Sequence, residues 1–484
     1  MLTNLGNIID PDCNLEKIAI IDLSEEQPQH FSFRQIDQLS NAVARGLRSR
    51  GVKTGDKISI LSNNSARVIS TFFGAMRLGA IPVLINNRLT ESQIQTILEE
   101  TESKLLFSDQ STNVNISTIQ FNLDFDSFIN VGDFECYTPA EDDTAFILYT
   151  SGSYGNPKGA LLSHKGHLWS INRTVKHDQK WSSKRISIIS APLFHANGLT
   201  TFESSFAGQA TIVLLPKFDP LLCIKAIEDH KANTMYCVPT MLAMMFREDY
   251  IKQATLSSMR QIRSASSHLS QKLANSVKQY FPNAHILNSY GITEVGPALF
   301  GPHPLGLPRP TSSVGYPANG IEYRIVDDIL HIKSPSMMSS YYNKTKNESF
   351  TVDGFFITKD VFRIDTDGFY YFLGRSDDMF KCGGNSVYPS QVESILESHT
   401  CVASAFVLGI EDDIKGHKPY AFVVLEKNKN TTEQELKQHV LDNGPAYQHP
   451  RRIWFLETFP LAGTNKVDKK MLENIATENL ANQL

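Results

Sequence analysis

The chain has 484 residues, 41% hydrophobic and 20% charged, a globular composition with material for two or three domains and an ample core. Its 46 lysines and arginines fall short of its 51 aspartates and glutamates, and the net charge of −5 excludes a broadly basic nucleic-acid surface.

Ser32 with Gln35 forms a predicted capping box, and Ile36, Leu39, Val43 and Leu47 follow at helical spacing until Gly51. Lys57–Leu61 reads as a strand, Val68 to Met76 as a helix and Ile81–Ile85 as a strand. Thr90 with Gln93 opens a third helix that leads to the apolar run Leu105–Phe107. The alternation resumes with strands at Ile186–Ile189, Thr211–Leu215 and Met235–Val238 and a helix over Leu222–His230. Such β-and-α alternation predicts an α/β fold with largely parallel strands. After about residue 315 the texture turns to short strands, at Tyr323–Val326, Ile329–Ile332 and Phe369–Leu373. A smaller α+β unit then carries the helix Pro389–Ser398, strands at Ala405–Leu408 and Tyr420–Leu425, and the helix Glu433–Leu441. The expectation is a large N-terminal domain of α/β layers with a strand-rich subdomain, residues 1–376, and a small C-terminal domain, residues 377–484.

Cys13, Cys136, Cys223, Cys237, Cys382 and Cys401 show no paired spacing and read as reduced thiols. The N-terminus lacks the basic start and apolar run of a signal peptide. The most apolar segment, Phe72 to Ile85, is broken by Arg77 and Pro82 and is too short to span a bilayer. A cytoplasmic protein without a transmembrane segment is expected.

Chemistry is concentrated in a few stretches. Tyr149-Thr150-Ser151-Gly152-Ser153-Tyr154-Gly155-Asn156-Pro157-Lys158-Gly159 follows the apolar strand Ala145–Leu148. Its glycines let the backbone turn N–H groups toward an anion, its hydroxyls add donors and Lys158 adds charge. It is neither a Walker loop, since Gly159 follows the lysine, nor a dinucleotide fingerprint, since Pro157 stands where a helix should begin. Taken alone it is either a phosphate cradle or a Gly/Ser surface loop. His195, in Pro192-Leu193-Phe194-His195, follows a strand, where α/β sheets bind ligands, although a lone histidine there can equally be a core residue satisfied by a carbonyl. Tyr290-Gly291-Ile292-Thr293-Glu294 also follows a strand and offers a ring for a base, a hydroxyl for a phosphate and a carboxylate for Mg²⁺. Thr358-Lys359-Asp360, Gly374-Arg375-Ser376-Asp377-Asp378 and Gly463-Thr464-Asn465-Lys466 place polar residues beside apolar runs.

In this order and over essentially the whole chain, these motifs resemble the adenylate-forming superfamily of acyl- and aryl-CoA ligases. The resemblance implies that Thr150, Ser151, Gly152, Ser153, Tyr154, Gly155 and Lys158 embrace the ATP phosphates. It implies that Tyr290 and Gly291 line the adenine pocket, that Asp360 and Arg375 hold the ribose, that Thr293 touches the α-phosphate and that Glu294 binds Mg²⁺. Lys466 is then the catalytic lysine, and His195 lies between the carboxylate site and the thiol tunnel. Asp377 is the hinge of a mobile C-terminal lid, and Lys381, Gly383 and Gly384 line the coenzyme A channel. Thr200, Thr240, Met241, Ser266 and Ser267 are candidates for the acid pocket. Tyr154, Lys359 and Asn465 depart from the superfamily pattern, which has Thr or Ser at the first and Gly at the other two. The resemblance implies an ATP- and Mg²⁺-dependent ligase joining a fatty or aryl acid to coenzyme A. The alternatives are an enzyme that loads a carrier protein and a degenerate nucleotide-binding homologue.

Overall fold

Successive side chains of a strand point to opposite faces, so strands apolar on both faces must be covered on both. The computed structural model, which describes residues 2–9, 12–150, 157–176, 183–265, 269–297, 299–344, 349–463 and 465–481, solves this with five layers. One sheet runs His285–Ser289, Gln261–Ala265, Thr234–Cys237, Ile186–Ile189, Thr211–Leu214, Ile18–Asp22, Gln29–Ser32, parallel except at its last strand. The other runs Thr118–Gln120, Leu105–Ser108, Lys57–Leu61, Ile81–Leu84, Thr144–Thr150, Lys158–Ser163, again parallel except at its last strand.

The inner faces of both sheets, including Ile20, Ile212, Ile60 and Phe146, share one core with the helices Phe33–Ser49, Ala66–Leu78 and Ala196–Ala207. Val68 through Arg77 are all buried, as expected of a helix held between two sheets. Rings lock this layer: Phe33 lies 4.9 Å from Phe206, and Phe72 lies 5.3 Å from Phe146. Outer faces pack elsewhere. Ile188, Val213 and Ile262 meet helices Pro220–Asp229, Pro239–Arg247 and Gln271–Tyr280, while Leu61, Val83 and Ile147 meet helix Glu91–Glu100.

Both predicted capping boxes form, at Ser32 with Gln35 and at Thr90 with Gln93. Arg77, only 2% exposed, is buried because it is fully partnered. Its Nε donates to the Gly6 carbonyl at 2.7 Å, Nη1 to Asn41 Oδ1 at 2.6 Å and Nη2 to Asp37 Oδ1 at 2.7 Å.

An antiparallel four-stranded sheet follows, Glu322–Val326, Ile329–Lys333, Phe356–Ile364 and Tyr370–Arg375. The C-terminal sheet begins at Phe380–Cys382 and is built on the long hairpin Val402–Asp412 and Gly416–Leu425, covered by helices Pro389–Ser398 and Glu433–Asn443. Polar contacts join it to the rest of the chain: Arg247 Nη1 donates to the Leu425 carbonyl at 2.8 Å, and Lys272 pairs with Glu426 at 2.7 Å. Interfaces of this kind permit relative domain motion. No helix among the described residues is long and apolar enough to cross a membrane.

Candidate functional site

Parallel strands of the first sheet end side by side, and the ligand crevice of an open α/β sheet lies beyond such ends. There a cleft of ≈ 1330 Å³ opens between that sheet, the four-stranded sheet and the C-terminal domain.

On one side stands Tyr290, its ring 5.0 Å from Phe362 and near Phe300 and Phe372. Its hydroxyl donates to Asp360 Oδ2, and burial, then the Asp360 charge, pushes the phenol well above its ordinary range. Asp360 is 3% exposed, and burial lifts its carboxyl to about 6 against the opposing pull of Arg375 and Tyr290. Arg375 reaches Asp360 Oδ1 at 3.3 Å and forks onto Asp377 at 2.8 and 2.9 Å. This is a cluster of tilted and edge-on rings ending in a carboxylate held by a guanidinium.

Lys359 and Asn465, the two departures at glycine positions, both adopt left-handed backbone, with φ of 63° and 59°. Glycine enters that region freely, asparagine with modest strain and lysine with more. The conformation is kept while the residue type changes.

Thr293 and Glu294 lie in the tight turn bridged from Ile292 to Gly296. Tyr341 donates to Glu294 Oε1 at 2.7 Å, leaving acceptor capacity on a carboxylate that faces the cleft. Gly291 also lines the cleft. Thr150 and Lys158 line it from the second sheet, with the Lys158 ammonium 5.4 Å from the Tyr341 ring centre. Ser151, Gly152, Ser153, Tyr154 and Gly155 lie outside the described residues, as do Ser266 and Ser267.

Lys466 enters from the C-terminal domain on a hairpin closed by Ala462 N–H to the Lys466 carbonyl at 2.8 Å. Two residues of the large domain hold this hairpin: Thr240 Oγ1 donates to the Asn465 carbonyl at 2.8 Å, and Arg88 Nη1 to the Leu461 and Ala462 carbonyls, each at 3.1 Å. Burial, then the Arg375 charge, lowers the Lys466 ammonium below its ordinary range, with Asp360 and Asp378 opposing. His195 immediately precedes helix Ala196–Ala207 without a side-chain capping bond, and burial, with the Lys466 charge, drives its imidazole down to about 3. It is therefore neutral at neutral pH.

The far end of the cleft was only partly foreseen. Thr200 lines it, but Thr240 instead holds the Lys466 hairpin and Met241 is buried in the core under helix Pro239–Arg247. Its chemistry comes from residues that belong to no motif. His167 Nδ1 and Glu203 Oε2 pair at 2.8 Å, both buried, and Tyr236, Arg263 and Arg309 face in from strands and a loop. Burial alternates over Gln261–Ala265, with Ile262 and Ser264 buried, so Arg263 points to the opposite face of the strand.

Lys381, Gly383 and Gly384 do not line the cleft. They form an exposed turn, with φ of 58° and 86° at the two glycines. Asp377 lies between the last strand of the four-stranded sheet and the first of the C-terminal sheet. Beyond it, Lys469 Nζ donates to Asp378 Oδ1 at 2.6 Å.

The profile described as AMP-binding enzyme matches residues 11–342, and that of the AMP-binding enzyme C-terminal domain matches residues 391–466. The chain is 28% identical to 4-coumarate–CoA ligase 1 of Petroselinum crispum, over 91% of this chain and 88% of the relative. It is also 28% identical to 2-succinylbenzoate–CoA ligase of Bacillus subtilis strain 168, over 98% and 99%. Among solved structures, an anthranilate CoA ligase in complex with anthranoyl-AMP superposes with a TM-score of 0.86 at 26% identity, covering 99% of this chain and 98% of the other. The o-succinylbenzoate CoA synthetase of Bacillus subtilis, with its acyl-adenylate, superposes at 0.82 and 26% identity, covering 98% of each chain.

Proposed function

The chain belongs to the AMP-binding enzyme family, and from that premise we propose that it is an acid–coenzyme A ligase acting on an aromatic carboxylic acid. Adenylation by Mg·ATP releases pyrophosphate, and the thiol of coenzyme A then takes the acyl group. The observation that carries this reading is the convergence of Lys466, Thr293, Glu294, Arg375 and His195 on one cleft, from both domains, with Asp360 buried directly behind Tyr290 and Arg375. The fatty-acid half of the expectation is dropped, because 4-coumarate, 2-succinylbenzoate and anthranilate, the acids of the relatives, are aryl acids.

The aromatic wall of Tyr290 takes the adenine, and Asp360, held by Arg375, accepts from the ribose hydroxyls. Among the described residues no group of three or more His, Cys, Asp or Glu could hold a metal ion. This fits magnesium bound by the single carboxylate of Glu294 together with substrate phosphates, where it would offset their charge. Lys466 sets a cation where the carboxylate and α-phosphate must meet, supplying alignment and charge compensation. A neutral His195 adds no second positive charge beside it.

The domain boundary falls at Asp377, and the lid turns there between the half-reactions. The salt bridge of Arg375 with Asp377 spans that boundary and loosens as the lid turns, whereas Lys469 with Asp378 lies within the lid and moves with it. The same turn withdraws Lys466 and presents Lys381, Gly383 and Gly384 to the thiol channel. The test is pyrophosphate release over a panel of aromatic acids, followed by coenzyme A added to pre-formed acyl-AMP. Acid-dependent release and a coenzyme A thioester are expected; no release with any acid sinks the reading.

A further inference from the structure

Two arginines face the acid end of the cleft, and they differ in what they already hold. Arg309 is spent on the backbone: its Nε and Nη2 donate to the Ser313 carbonyl at 3.2 and 3.1 Å, and Nη2 also to the Asn288 carbonyl. Arg263 holds nothing of the kind. Its Nε is buried without a hydrogen-bond partner, and no ion pair joins its guanidinium to a carboxylate among the described residues. Its neighbours are the Tyr236 ring, 5.3 Å away across the paired strands, and the Arg309 charge.

None of the cleft's carboxylates pairs with Arg263: Glu203 pairs through Oε2 with His167 and leaves Oε1 unpartnered, Glu294 accepts from Tyr341, Asp377 holds Arg375 and Asp378 holds Lys469. Arg77 shows how this fold buries a guanidinium when the purpose is structural, with acceptors on Nε and on both terminal nitrogens. A half-buried guanidinium with no acceptor on Nε among the described residues is costly, and beside the Arg309 charge more so. It becomes favourable once an anion arrives with the ligand.

We infer that Arg263 reads a second carboxylate on the acid substrate, at the end remote from the carboxyl that is adenylated. The substrate class is then an aromatic acid with a second carboxylate, whose arm crosses the Tyr236 ring to meet the guanidinium fork. A carboxylate suits that planar fork with paired hydrogen bonds. This inference rests on the acid–coenzyme A ligase reading.

The experiment measures pyrophosphate release by the full chain, with Mg·ATP and coenzyme A, on pairs of aromatic acids sharing one skeleton. One member carries a second carboxylate on a short arm; the other carries the methyl ester of that arm. The diacid should be favoured by on the order of 10–100-fold in kcat/KM, expressed in KM. Arg263→Met should erase the ratio by raising KM for the diacid alone, and Arg263→Lys should restore some of it. An ATP-induced thermal shift shows that each variant is folded; if the methionine variant is not, the wild-type ratio and the lysine variant decide. Equal use of both members by the wild type overturns the inference and leaves the ligase reading intact. Equal loss of both members in Arg263→Met also overturns it, by placing Arg263 on the reacting carboxyl. No release with any acid removes the ligase reading, and the inference with it.

Discussion

Replacing Lys466 by alanine separates chemistry from architecture. The hairpin that carries it is held by Ala462 N–H to the Lys466 carbonyl at 2.8 Å and Asn465 N–H to the Ala462 carbonyl at 3.0 Å. Thr240 and Arg88 dock it at 2.8 and 3.1 Å. None of these bonds uses the ammonium, so the truncated hairpin stays docked. The ammonium itself is disfavoured by burial, which lowers its pKa, so its loss does not cost stability. Unfolding free energy should stay within ~0.5 kcal/mol of wild type. What disappears is one preorganised cationic donor, ~2.7–4 kcal/mol of transition-state stabilisation, or on the order of 10²–10³ in rate. Pyrophosphate exchange reports acyl-AMP formation and should fall by that factor. Thioester formation from supplied acyl-AMP and coenzyme A should be nearly unchanged, because the lid then presents its other face. An equal loss in both half-reactions, or a drop in Tm matching the loss of rate, would refute the reasoning.

Lys359→Gly should stabilise the protein by ~0–1.5 kcal/mol in urea unfolding: relief of left-handed strain is worth ~1–2 kcal/mol, less the ~0.4–1 kcal/mol that glycine adds to the freedom of the unfolded chain. The Lys359 carbonyl keeps both bonds from Ser376, so a destabilised variant would assign the exposed side chain a role of its own. Asp360 has its folded pKa raised to about 6 from 3.8, so the native state binds the proton more tightly and stability falls as pH rises through that window. The cost at neutral pH is about 3 kcal/mol at most. Asp360→Asn should therefore be more stable than wild type at pH 7, with the gap closing near pH 4, while KM for ATP rises. A wild type that gains stability across the same window contradicts the assignment. Glu294→Gln keeps an acceptor for Tyr341 while removing the charge, so adenylation should drop and recover partly at high Mg²⁺; indifference to Mg²⁺ would exclude Glu294 as the ligand.

Much was legible in the sequence because it is local. Capping boxes at Ser32 and Thr90, the strand Lys57–Leu61 and the helix Pro389–Ser398 each depend on a few neighbouring residues, and each forms. The motifs at Tyr290–Glu294, Asp360, Arg375 and Lys466 could be picked out because their chemistry is carried by short contiguous runs. Met241 and Thr240 were misread for the converse reason. Adjacent helix positions point about 100° apart, and only packing decided that one enters the core and the other meets the Lys466 hairpin. The five-layer arrangement, the pairing of His167 with Glu203 and the exposure of Arg263 to the cleft join residues far apart in the chain, with no local pattern to announce them. At Lys359 and Asn465 the sequence showed only that a glycine was missing. The left-handed backbone there is imposed by the turns around it, so conformation outlived the residue type. Residue order determined which groups could do the chemistry; long-range packing decided which of them face the cleft and left the Arg263 Nε without an acceptor among the described residues.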